Sequence, residues 1–354
     1  MPANPAGAGR YVIDLVAGLR RQPDVDLTVI CRRGDDARWN IGPRRTLAVA
    51  PELRPVRLAW EQARLPSVLA QLGLDVHHSP HYTMPERAKL PRVVTVHDLT
   101  FLDSPGWHEP AKVAYFRRAI RTAAMRADAI IAVSEATAGR LEALLHPAAP
   151  VHVIAHGVDI NRYHPAGAND IPVPGITKPY VLFIGTIEPR KDIPTLVRAF
   201  DMVAATQPDL GLVIAGAPGW GTEAVDDAVE KATHGSRIHR LGYISEDDKT
   251  ALLQGAAVVA YPSLEEGFGL PALEALACGA PLVTTSGTAM EEVVGDAALL
   301  IAPGNTSELT GALEALLAGG AEVDNRRRLG LEVASHYTWD ASAAAHVAVY
   351  RSVV

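Results

Sequence analysis

The chain has 354 residues, a length that favours two domains of ordinary size. Hydrophobic residues make up 48% of it and charged residues 21%, which describes a folded protein and excludes a disordered one. No apolar run approaches the roughly 20 residues of a membrane-spanning helix, and residues 1–10 lack the apolar core of a secretion signal. We therefore expect a cytoplasmic protein.

The net charge of −7 is unevenly divided between the two halves. Residues 1–175 carry 21 Lys and Arg against 17 Asp and Glu, whereas residues 176–354 carry 12 against 23. The acidic second half argues against nucleic acid as a partner. The basic first half is compatible with contact to an anionic surface, such as the inner face of a membrane, and equally with an ordinary solvated face.

Strands and helices alternate along the first half, which predicts a parallel α/β sheet. The predicted strands are Leu27–Cys31, Leu47–Ala50, Val76–His78, Val93–His97, Ala129–Val133 and Val151–Ile154. The predicted helices are Tyr11–Arg20, Arg57–Leu72, Glu109–Arg126 and Glu135–Leu144. An Arg-rich stretch, Arg32–Arg45, is expected to be a mobile surface loop.

Two glycines before the first helix, Gly7 and Gly9, resemble the start of a dinucleotide-binding fingerprint. That signal is weak, because no strand precedes them and the third glycine is absent. An acidic pair downstream, Asp24 and Asp26, resembles a metal-binding motif. We interpret it as a cap of the turn before the first strand.

The alternation restarts after a proline-rich linker, Val158–Lys178. The predicted strands of the second half are Tyr180–Ile184, Gly211–Ala215, Ile238–Leu241, Val258–Tyr261, Leu282–Val283 and Ala298–Ile301. The predicted helices are Ile193–Gln207, Val225–Ala232, Ser245–Gln254, Thr306–Leu317, Asn325–Ala334 and Trp339–Arg351. Ser245 is expected to cap its helix, with Asp248 three residues on. A further helix is expected to start near Pro271 and to stop at Gly279.

Two α/β runs predict two Rossmann-like parallel-sheet domains that face each other across a ligand-binding cleft. We expect the first domain at residues 1–165, a linker at 166–178, the second domain at 179–338 and a closing helix at 339–354.

The stretch 256–285 contains a predicted strand, a polar loop and both ends of one predicted helix. The loop, Ser263–Gly269, would present backbone N–H groups and the positive end of a helix dipole to an anion. One acid, Glu266, lies in the loop, and a second, Glu274, lies in the helix that follows it. Carboxylates are poor neighbours for a phosphate unless they bind sugar hydroxyls. The stretch therefore predicts a site for a phosphate that carries sugars.

A second charged loop, Glu188–Asp192, follows the predicted strand Tyr180–Ile184, with Gly185 at the carboxyl end of that strand. Ligands of open α/β sheets bind at such ends. Arg190 and Lys191 side by side can clamp two phosphates, the Arg through its fork and the Lys as a point charge. The alternative is a helix-entry loop with ordinary surface charges.

The histidines of the first half offer several interpretations. His97 ends a predicted strand and could donate a hydrogen bond to a substrate oxygen, or it could be a structural histidine. His77, His78 and His81 cluster after another strand, but no carboxylate is spaced to complete a metal site with them. His156 is expected to shape the hinge at the linker.

Six stretches together resemble the GT-B-fold retaining glycosyltransferases of family 4, also called group 1. They are VHDLTFL at 96–102, ADAIIAVSEATAGRL at 127–141, AHGVD at 155–159, FIGTIEPRKDIPTLVRAF at 183–200, EEGFGLPALEALACGAPLVTT at 265–285 and EEVVGDAALLIAPGN at 291–305. They cover most of the chain in the expected order. The pair of glutamates eight residues apart, Glu266 and Glu274, is the most specific of these features.

The resemblance implies an enzyme of polysaccharide biosynthesis that moves a hexose from a nucleotide-diphosphate sugar, with mannose favoured. The implied acceptor is a glycan, a polysaccharide or a lipid-linked sugar, and the anomeric configuration is retained. No cofactor and no metal are implied, and nucleic acid is not a partner. The closing helix would cross back onto the first domain, and the enzyme could touch the membrane peripherally.

The resemblance also implies roles for individual residues. Glu274 would hold the ribose, Glu266 the sugar hydroxyls, and the Arg190–Lys191 pair would neutralise the leaving diphosphate. The implied catalytic residues are His97, Arg190, Lys191 and Glu266. The implied donor-binding residues are Gly9, Gly185, Glu188, Arg190, Lys191, Glu266, Gly267, Phe268, Gly269, Leu270 and Glu274.

The chain departs from the family pattern in two places. Family members usually begin with a strand before the glycine-rich turn, whereas this sequence starts almost at that turn. We therefore expect either a truncated start or a first sheet without its central strand, and an uncertain position for the Gly7–Arg10 loop. Glu291 stands where a proline is common, which is expected to affect only a turn.

Other functions remain open on the sequence alone. A nucleotide-sugar binding protein of the same fold without catalytic activity is one, and a nucleotide-sugar epimerase is another. An NAD-dependent oxidoreductase is disfavoured, because no complete glycine fingerprint with a ribose-binding acid is present.

Overall fold

The computed structural model describes residues 5, 7–39, 46–167, 173 and 175–354. The chain divides into two compact units, one of Met1–Gly157 with Trp339–Val354 and one of Val158–Thr338. Each unit is a Rossmann-like α/β body with parallel strands and flanking helices, which confirms the predicted fold class. The predicted linker, 166–178, and the predicted loop, Arg32–Arg45, lie partly outside the described residues.

The first unit alternates strands and helices along the chain. In order they are α1 (Gly7–Arg20), β1 (Val29–Arg32), β2 (Thr46–Ala50), α2 (Arg54–Ala63), α3 (Leu65–Leu72), β3 (His77–Ser79), β4 (Arg92–Val96), α4 (Thr100–Asp103), α5 (Pro110–Arg126), β5 (Ala129–Ala132), α6 (Glu135–Leu145) and β6 (Val151–Val153).

The second unit repeats the pattern, and a final helix returns to the first unit. In order the elements are β7 (Tyr180–Ile184), α7 (Ile193–Ala204), β8 (Gly211–Ala215), α8 (Glu223–Lys231), β9 (Ile238–Gly242), α9 (Glu246–Gly255), β10 (Val258–Tyr261), α10 (Leu270–Ala277), β11 (Leu282–Thr285), α11 (Ala289–Val294), β12 (Leu299–Ile301), α12 (Thr306–Ala318), α13 (Ala321–His336) and α14 (Trp339–Ser352).

The sheet of the second unit has the strand order β12-β11-β10-β7-β8-β9, with all neighbours parallel. Every residue of β7, β10 and β11 is buried. The continuous apolar runs of β7 and β10 suit a parallel sheet that helices cover on both faces. Because β7 and β10 are direct neighbours, the loops that follow them begin side by side at one edge of the sheet.

The strands of the first unit form two separate sheets, so the prediction of one sheet is wrong for the described residues. One sheet pairs β1 with β2, and the other has the order β3-β4-β5-β6. No strand among the described residues lies between β1 and β3 to join them. The core of the larger sheet lies around β4 and β5, since β5 and most of β4 are fully buried.

The final helix α14 packs against α1, which confirms the predicted return to the first domain. A Cβ atom at Gly18 would lie 2.7 Å from the carbonyl oxygen of Trp339, so only glycine permits this close approach. Ser342 Oγ donates a hydrogen bond of 2.8 Å to the carbonyl oxygen of Ala155. The contacts tie residues more than 150 positions apart into one core.

Two boundaries differ from the sequence prediction for physical reasons. The expected Gly7–Arg10 loop is helical, because α1 already begins at Gly7, and an ion pair of 2.7 Å between Arg10 and Asp14 supports its first turns. The predicted single helix 57–72 breaks at Arg64, since Pro66 lies in the first turn of α3 and cannot continue the preceding hydrogen-bond ladder.

The helix ends of the second unit show which local signals were readable. Asp248 N donates to Ser245 Oγ at 3.0 Å, which confirms the predicted cap of α9. Helix α11 was not predicted, and the turn expected around Glu291 is part of it.

Among the described residues, no helix is long and apolar enough to cross a membrane.

A chain of hydrogen bonds joins α14 to the sheet of the first unit. His346 Nδ1 donates to the carbonyl oxygen of Ser342 at 2.7 Å, so its Nε2 accepts from the Tyr11 hydroxyl at 2.8 Å. The Tyr11 oxygen lies 2.9 Å from Thr95 Oγ1, which lies 2.8 Å from His78 Nε2. Burial lowers the pKa of His346 to about 4, so the ring is neutral at pH 7.

We predict that the first unit loses stability as the pH falls from 6.5 to about 4. Unfolded His346 has a pKa of 6.5 and binds a proton in this window, whereas folded His346 does not. The stability is fully present above pH 6.5, and its loss is worth about 3 kcal/mol. Urea unfolding at several pH values measures it.

The control is His146→Gln, because His146 is exposed on the same unit. The variant His346→Gln should reduce the pH dependence between pH 6.5 and 4, and His146→Gln should not. Part of the dependence should persist in His346→Gln, because burial also lowers the pKa of His77 to about 4 and that of His81 to about 3. An unchanged slope in His346→Gln would contradict the assignment.

Candidate active site

Two loops meet at the carboxyl edge of the second-unit sheet. One follows β7 and runs through the single 3₁₀ turn Pro189–Lys191, and the other follows β10. Leu264 N donates to the carbonyl oxygen of Arg190 at 2.8 Å, which ties the two loops together. The structure therefore brings the two charged motifs of the sequence, at 188–192 and 265–274, to the same place.

Glu266 lies between the two adjacent cations of the first loop. Arg190 Nη1 lies 2.8 Å from Glu266 Oε2, and Lys191 Nζ contacts Glu266 Oε1. Lys191 also donates to the Tyr261 hydroxyl at 2.5 Å, and Arg190 Nε lies 2.6 Å from Glu188 Oε1. These five side chains form the ion cluster of the second unit.

The local backbone explains why both cations reach one carboxylate. Neighbouring residues of a strand would point to opposite faces, whereas the 3₁₀ turn places Arg190 and Lys191 on the same side. Asp192 ends the turn in the left-handed region, at φ +46°, and its carbonyl oxygen accepts from Thr195 N at 3.1 Å. Helix α7 therefore starts immediately behind the turn.

A glycine sets the entry to α10 on the opposite loop. Gly269 has φ +94°, and a Cβ atom there would lie 2.6 Å from Met290 Cγ. Both the backbone conformation and the lack of space require glycine. Pro271 then occupies the first turn of α10, as predicted.

The ion cluster is electrostatically coupled. Burial alone would raise the pKa of Glu266, but Arg190 and Lys191 outweigh burial and hold it at about 2. Burial and the neighbouring Arg190 lower the pKa of Lys191, while Glu266 and Glu188 oppose that change. The Glu266 carboxylate is therefore charged at neutral pH.

The second predicted acid, Glu274, lies inside α10 and is 3% exposed. Lys249 Nζ of α9 lies 2.6 Å from Glu274 Oε2, in an ion pair whose angle does not make a hydrogen bond. Lys249 also lies 5.2 Å above the ring of Tyr163, whose hydroxyl donates to Glu246 at 2.7 Å. Glu274 is thus a buried charge with one close cation.

The remaining predicted residues of the second unit line the same edge. A Cβ atom at Gly185 would lie 3.5 Å from the Tyr261 hydroxyl, so the glycine leaves room beside that ring. Phe268 is 4% exposed, and its ring lies 5.8 Å from the Tyr337 ring. Gly267 belongs to the loop, and Leu270 is the first residue of α10.

Two predicted site residues, His97 and Gly9, belong to the first unit. His97 follows β4, and its Nε2 donates to the carbonyl oxygen of Pro80 at 2.8 Å. Burial lowers the pKa of His97, so the ring is neutral and its Nδ1 can only accept a hydrogen bond. Gly9 lies inside α1 and not in a phosphate-binding loop, which corrects the prediction for its surroundings.

Sequence reasoning missed Lys249 and Tyr261 as members of this site. Tyr261 ends β10, so its position at the carboxyl edge was a readable signal. Lys249 lies 25 positions before Glu274 in the sequence, in helix α9. No local sequence pattern predicts that α9 packs against α10.

The histidines that suggested a metal site have other partners. His77 Nε2 lies 3.2 Å from Ser79 Oγ, and His78 Nδ1 accepts from the Tyr350 hydroxyl at 2.7 Å. Within the described ranges, no group of three or more His, Cys, Asp or Glu is placed to hold a metal ion. His156 is buried, with its ring 6.0 Å from the Trp339 ring.

Two family models match the chain one after the other. The model described as Glycosyltransferase Family 4 matches residues 5–162, and the model described as Glycosyl transferases group 1 matches residues 169–332. The chain belongs to this glycosyltransferase family. The predicted family is therefore confirmed, and the enzyme class is that of a glycosyltransferase.

A similar curated glycosyltransferase is the O-antigen chain mannosyltransferase B of Escherichia coli. It is 29% identical over 310 residues, which cover 84% of this chain and 78% of the relative. Several other curated relatives are matched over only about half of their own length.

Solved structures share the fold of this glycosyltransferase at lower identity. Sucrose-phosphate synthase from Thermosynechococcus elongatus superposes with a TM-score of 0.81 at 21% identity, covering 99% of this chain and 95% of the other. Anabaena HepE in complex with UDP-glucose superposes with a TM-score of 0.76 at 18% identity, covering 99% and 98%. These likenesses support the GT-B fold.

We predict that Lys249→Met lowers the free energy of unfolding by about 2 kcal/mol, because Glu274 is left as a buried charge without its close cation. The loss is smaller than for a fully buried pair, since the Lys249 side chain is 14% exposed. Denaturant unfolding measures it.

The matched control is Lys231→Met, because Lys231 pairs with Asp227 on the exposed face of α8. It should change the free energy of unfolding by less than about 0.5 kcal/mol. Equal effects of the two variants would show that the Lys249–Glu274 pair does not stabilise the fold.

Proposed function

We propose that this glycosyltransferase moves a hexose, with mannose favoured, from a nucleoside-diphosphate sugar to a glycan, polysaccharide or lipid-linked acceptor. We further propose that the configuration at the anomeric carbon is retained and that no metal ion takes part. The observation that carries the proposal is the ion cluster, in which two adjacent cations and a buried carboxylate share one edge of the sheet.

The two cations supply the positive charge that stabilises a departing diphosphate. Arg190 and Lys191 are held by Glu266 and Glu188 before any ligand arrives, so little reorganisation is required when negative charge develops. Permanent cations at this edge can take the neutralising role that a divalent metal has in other enzymes. This arrangement supports a metal-independent reaction.

The carboxylate of Glu266 retains capacity for sugar hydroxyls. An ionised carboxylate offers about four acceptor positions, and the two cations each approach one oxygen. We assign the remaining positions to hydroxyls of the donor hexose, with backbone groups of residues 267–270 beside them. Gly185 leaves space beside the Tyr261 ring at this edge.

Glu274 is proposed to bind the ribose hydroxyls of the nucleotide. Its carboxylate is buried and has one close cation, Lys249, so acceptor positions are available to two neighbouring hydroxyls. Lys249 then orients Glu274 while the nucleotide is bound.

His97 remains a proposed contact of the donor sugar, with a changed role. Because its Nε2 proton is committed to Pro80, the ring would accept a hydrogen bond from a sugar hydroxyl through Nδ1 and not donate one. Gly9 remains a proposed donor contact, from the first turn of α1 and not from a loop.

The preference for mannose rests on the similarity to a mannosyltransferase of O-antigen chains. That relative also supports a polysaccharide or lipid-linked acceptor. We propose a cytoplasmic enzyme that touches the inner face of the membrane peripherally, with the basic first half as the contacting part.

The main alternative is a protein of the same fold that binds nucleotide sugars without turning them over. The ion cluster and Glu274 are both intact, which favours the enzyme. An epimerase would need a bound dinucleotide, and the only glycine pair that suggested one is helical among the described residues.

We predict that Arg190→Ala and Glu274→Ala each reduce sugar transfer by about 10²–10³-fold, because each removes a preorganised charge. Transfer is measured as release of nucleoside diphosphate with an acceptor glycan present. The matched controls are Arg328→Ala and Glu230→Ala, two exposed positions of the same unit. Wild-type rates in either site variant, with the fold intact, would overturn the assignment.

We also predict that nucleoside diphosphates raise the melting temperature of the wild-type protein in the presence of EDTA, since permanent cations hold the phosphates. A thermal-shift screen of GDP-mannose, UDP-glucose, UDP-N-acetylglucosamine and dTDP-rhamnose then identifies the donor. The absence of any shift at millimolar ligand would contradict the site, and a shift lost in EDTA would contradict metal independence.

A further inference from the structure

The carboxyl ends of β1 and β2 in the first unit carry several arginines. Arg32 is the last residue of β1, and the register of the two strands places it beside Ala50, the last residue of β2. Helix α2 then starts at Arg54 and contains Arg57 in its first turn. The carboxyl ends of parallel strands are where open α/β sheets bind their ligands.

Backbone contacts hold Arg57 at the same strand ends. Its Nη1 donates to the carbonyl oxygens of Pro51 at 3.2 Å and Glu52 at 2.8 Å, two residues that directly follow β2. Burial and the neighbouring charges of Arg32 and Arg54 lower the pKa of Arg57, because like charges disfavour its charged form. We name Arg32, Arg54 and Arg57 the arginine cluster.

The acids beside the arginine cluster are shared with other groups. Asp35 Oδ1 lies 4.0 Å from Arg32 Nη2 but only 3.1 Å from Arg38 Nε. Glu61, also in α2, accepts a hydrogen bond of 3.0 Å from Thr83 Oγ1. Positive charge is therefore in excess at these strand ends.

The arginine cluster also has donors to offer to a ligand. Arg32 Nε is buried and has no hydrogen-bond partner in the part of the chain that the structure describes, and such a donor is costly to leave unpaired. The first turn of α2 contains no acid, and Leu53 ahead of it has no side-chain acceptor for its N–H groups. An anion is the ligand that suits both features.

A row of aromatic rings connects the arginine cluster to His97. The guanidinium carbon of Arg54 lies 5.7 Å from the centre of the Phe116 ring, which lies 5.6 Å from the His81 ring. The His81 ring lies 5.7 Å from the His97 ring. Because His97 is a proposed contact of the donor sugar, the cluster lies only a few side chains from the proposed point of transfer.

We propose that the arginine cluster binds an anionic group of the acceptor, a phosphate or a carboxylate, away from the hydroxyl that receives the hexose. This assignment rests on the proposed function, since it requires that the protein has a sugar acceptor. The forked guanidinium groups match pairs of oxygens on both anions. The acceptor is then a charged sugar or a glycan that carries such a group.

Binding is tested without turnover, in the variant Arg190→Ala, whose proposed donor site has lost one cation. The probes are mannose 6-phosphate, glucuronate and neutral mannose, and calorimetric titration measures their affinities. Both charged sugars should bind more tightly than mannose. The phosphate should bind most tightly, because it carries more negative charge and more acceptor oxygens than a carboxylate.

Two substitutions in that background locate the anion. Arg54→Met and Arg32→Met should each weaken the binding of mannose 6-phosphate by about 10–100-fold, because each removes a charge-assisted contact. The matched control is Arg64→Met, since Arg64 is exposed at the other end of α2. It should leave the affinity unchanged, and the melting temperature of each variant shows that it is folded.

The assignment to the acceptor is tested by inhibition of sugar transfer in the wild-type chain. Mannose 6-phosphate should compete with the acceptor glycan, and this inhibition should weaken in Arg54→Met. Inhibition that competes only with the donor would overturn the assignment.

Three results of the titration would overturn the anion site itself. They are equal affinity for mannose and the charged sugars, unchanged affinity in both cluster variants, and an equal loss in Arg64→Met. None of them depends on turnover. A chain that binds the charged sugars but transfers no hexose would contradict the proposed function and leave the anion site standing.

Discussion

The buried carboxylate of Glu266 constrains the second unit more than any other group. A carboxylate with 9% of its side chain exposed is stable only beside cations, and Arg190 and Lys191 supply two of them from a single turn. The cations in turn need Glu266 and Glu188, because Lys191 is itself buried. Removal of any one partner leaves the others with charges that the site cannot solvate.

The parallel sheet is what makes this cluster possible. Because β7 and β10 are neighbours and run in the same direction, their carboxyl ends deliver the two charged loops to one edge. The strands behind the loops are buried along their whole length and support the cluster from below. The same geometry places the start of α10, at Leu270, close to the Glu266 carboxylate. Glu274 lies in the second turn of that helix.

Most of the fold was readable from sequence because apolar runs and helix-end signals are local. Strands β7, β8 and β10 have the predicted bounds, and Ser245 caps α9 as predicted. The convergence of Arg190 with Glu266 was also predictable, since both follow strands of one parallel sheet. Their roles in binding a donor stay predictions.

Other features depend on tertiary packing and had no local signal. The Lys249–Glu274 pair forms because α9 packs beside α10, and the split between the two sheets of the first unit depends on which strands become neighbours. The proton of His97 is directed by the carbonyl group of Pro80, which only the folded loop brings near. These contacts determine the ion pairing of Glu274 and the position of the His97 proton, whereas the sequence shows only that the two residues are present.

A crystal structure of the chain with a bound nucleoside-diphosphate sugar tests the central claim most directly. The account predicts the diphosphate within hydrogen-bond distance of Arg190 and Lys191, the ribose hydroxyls on Glu274 and the hexose on Glu266. A donor bound elsewhere in the chain, with the ion cluster unchanged and out of contact with it, would contradict the account.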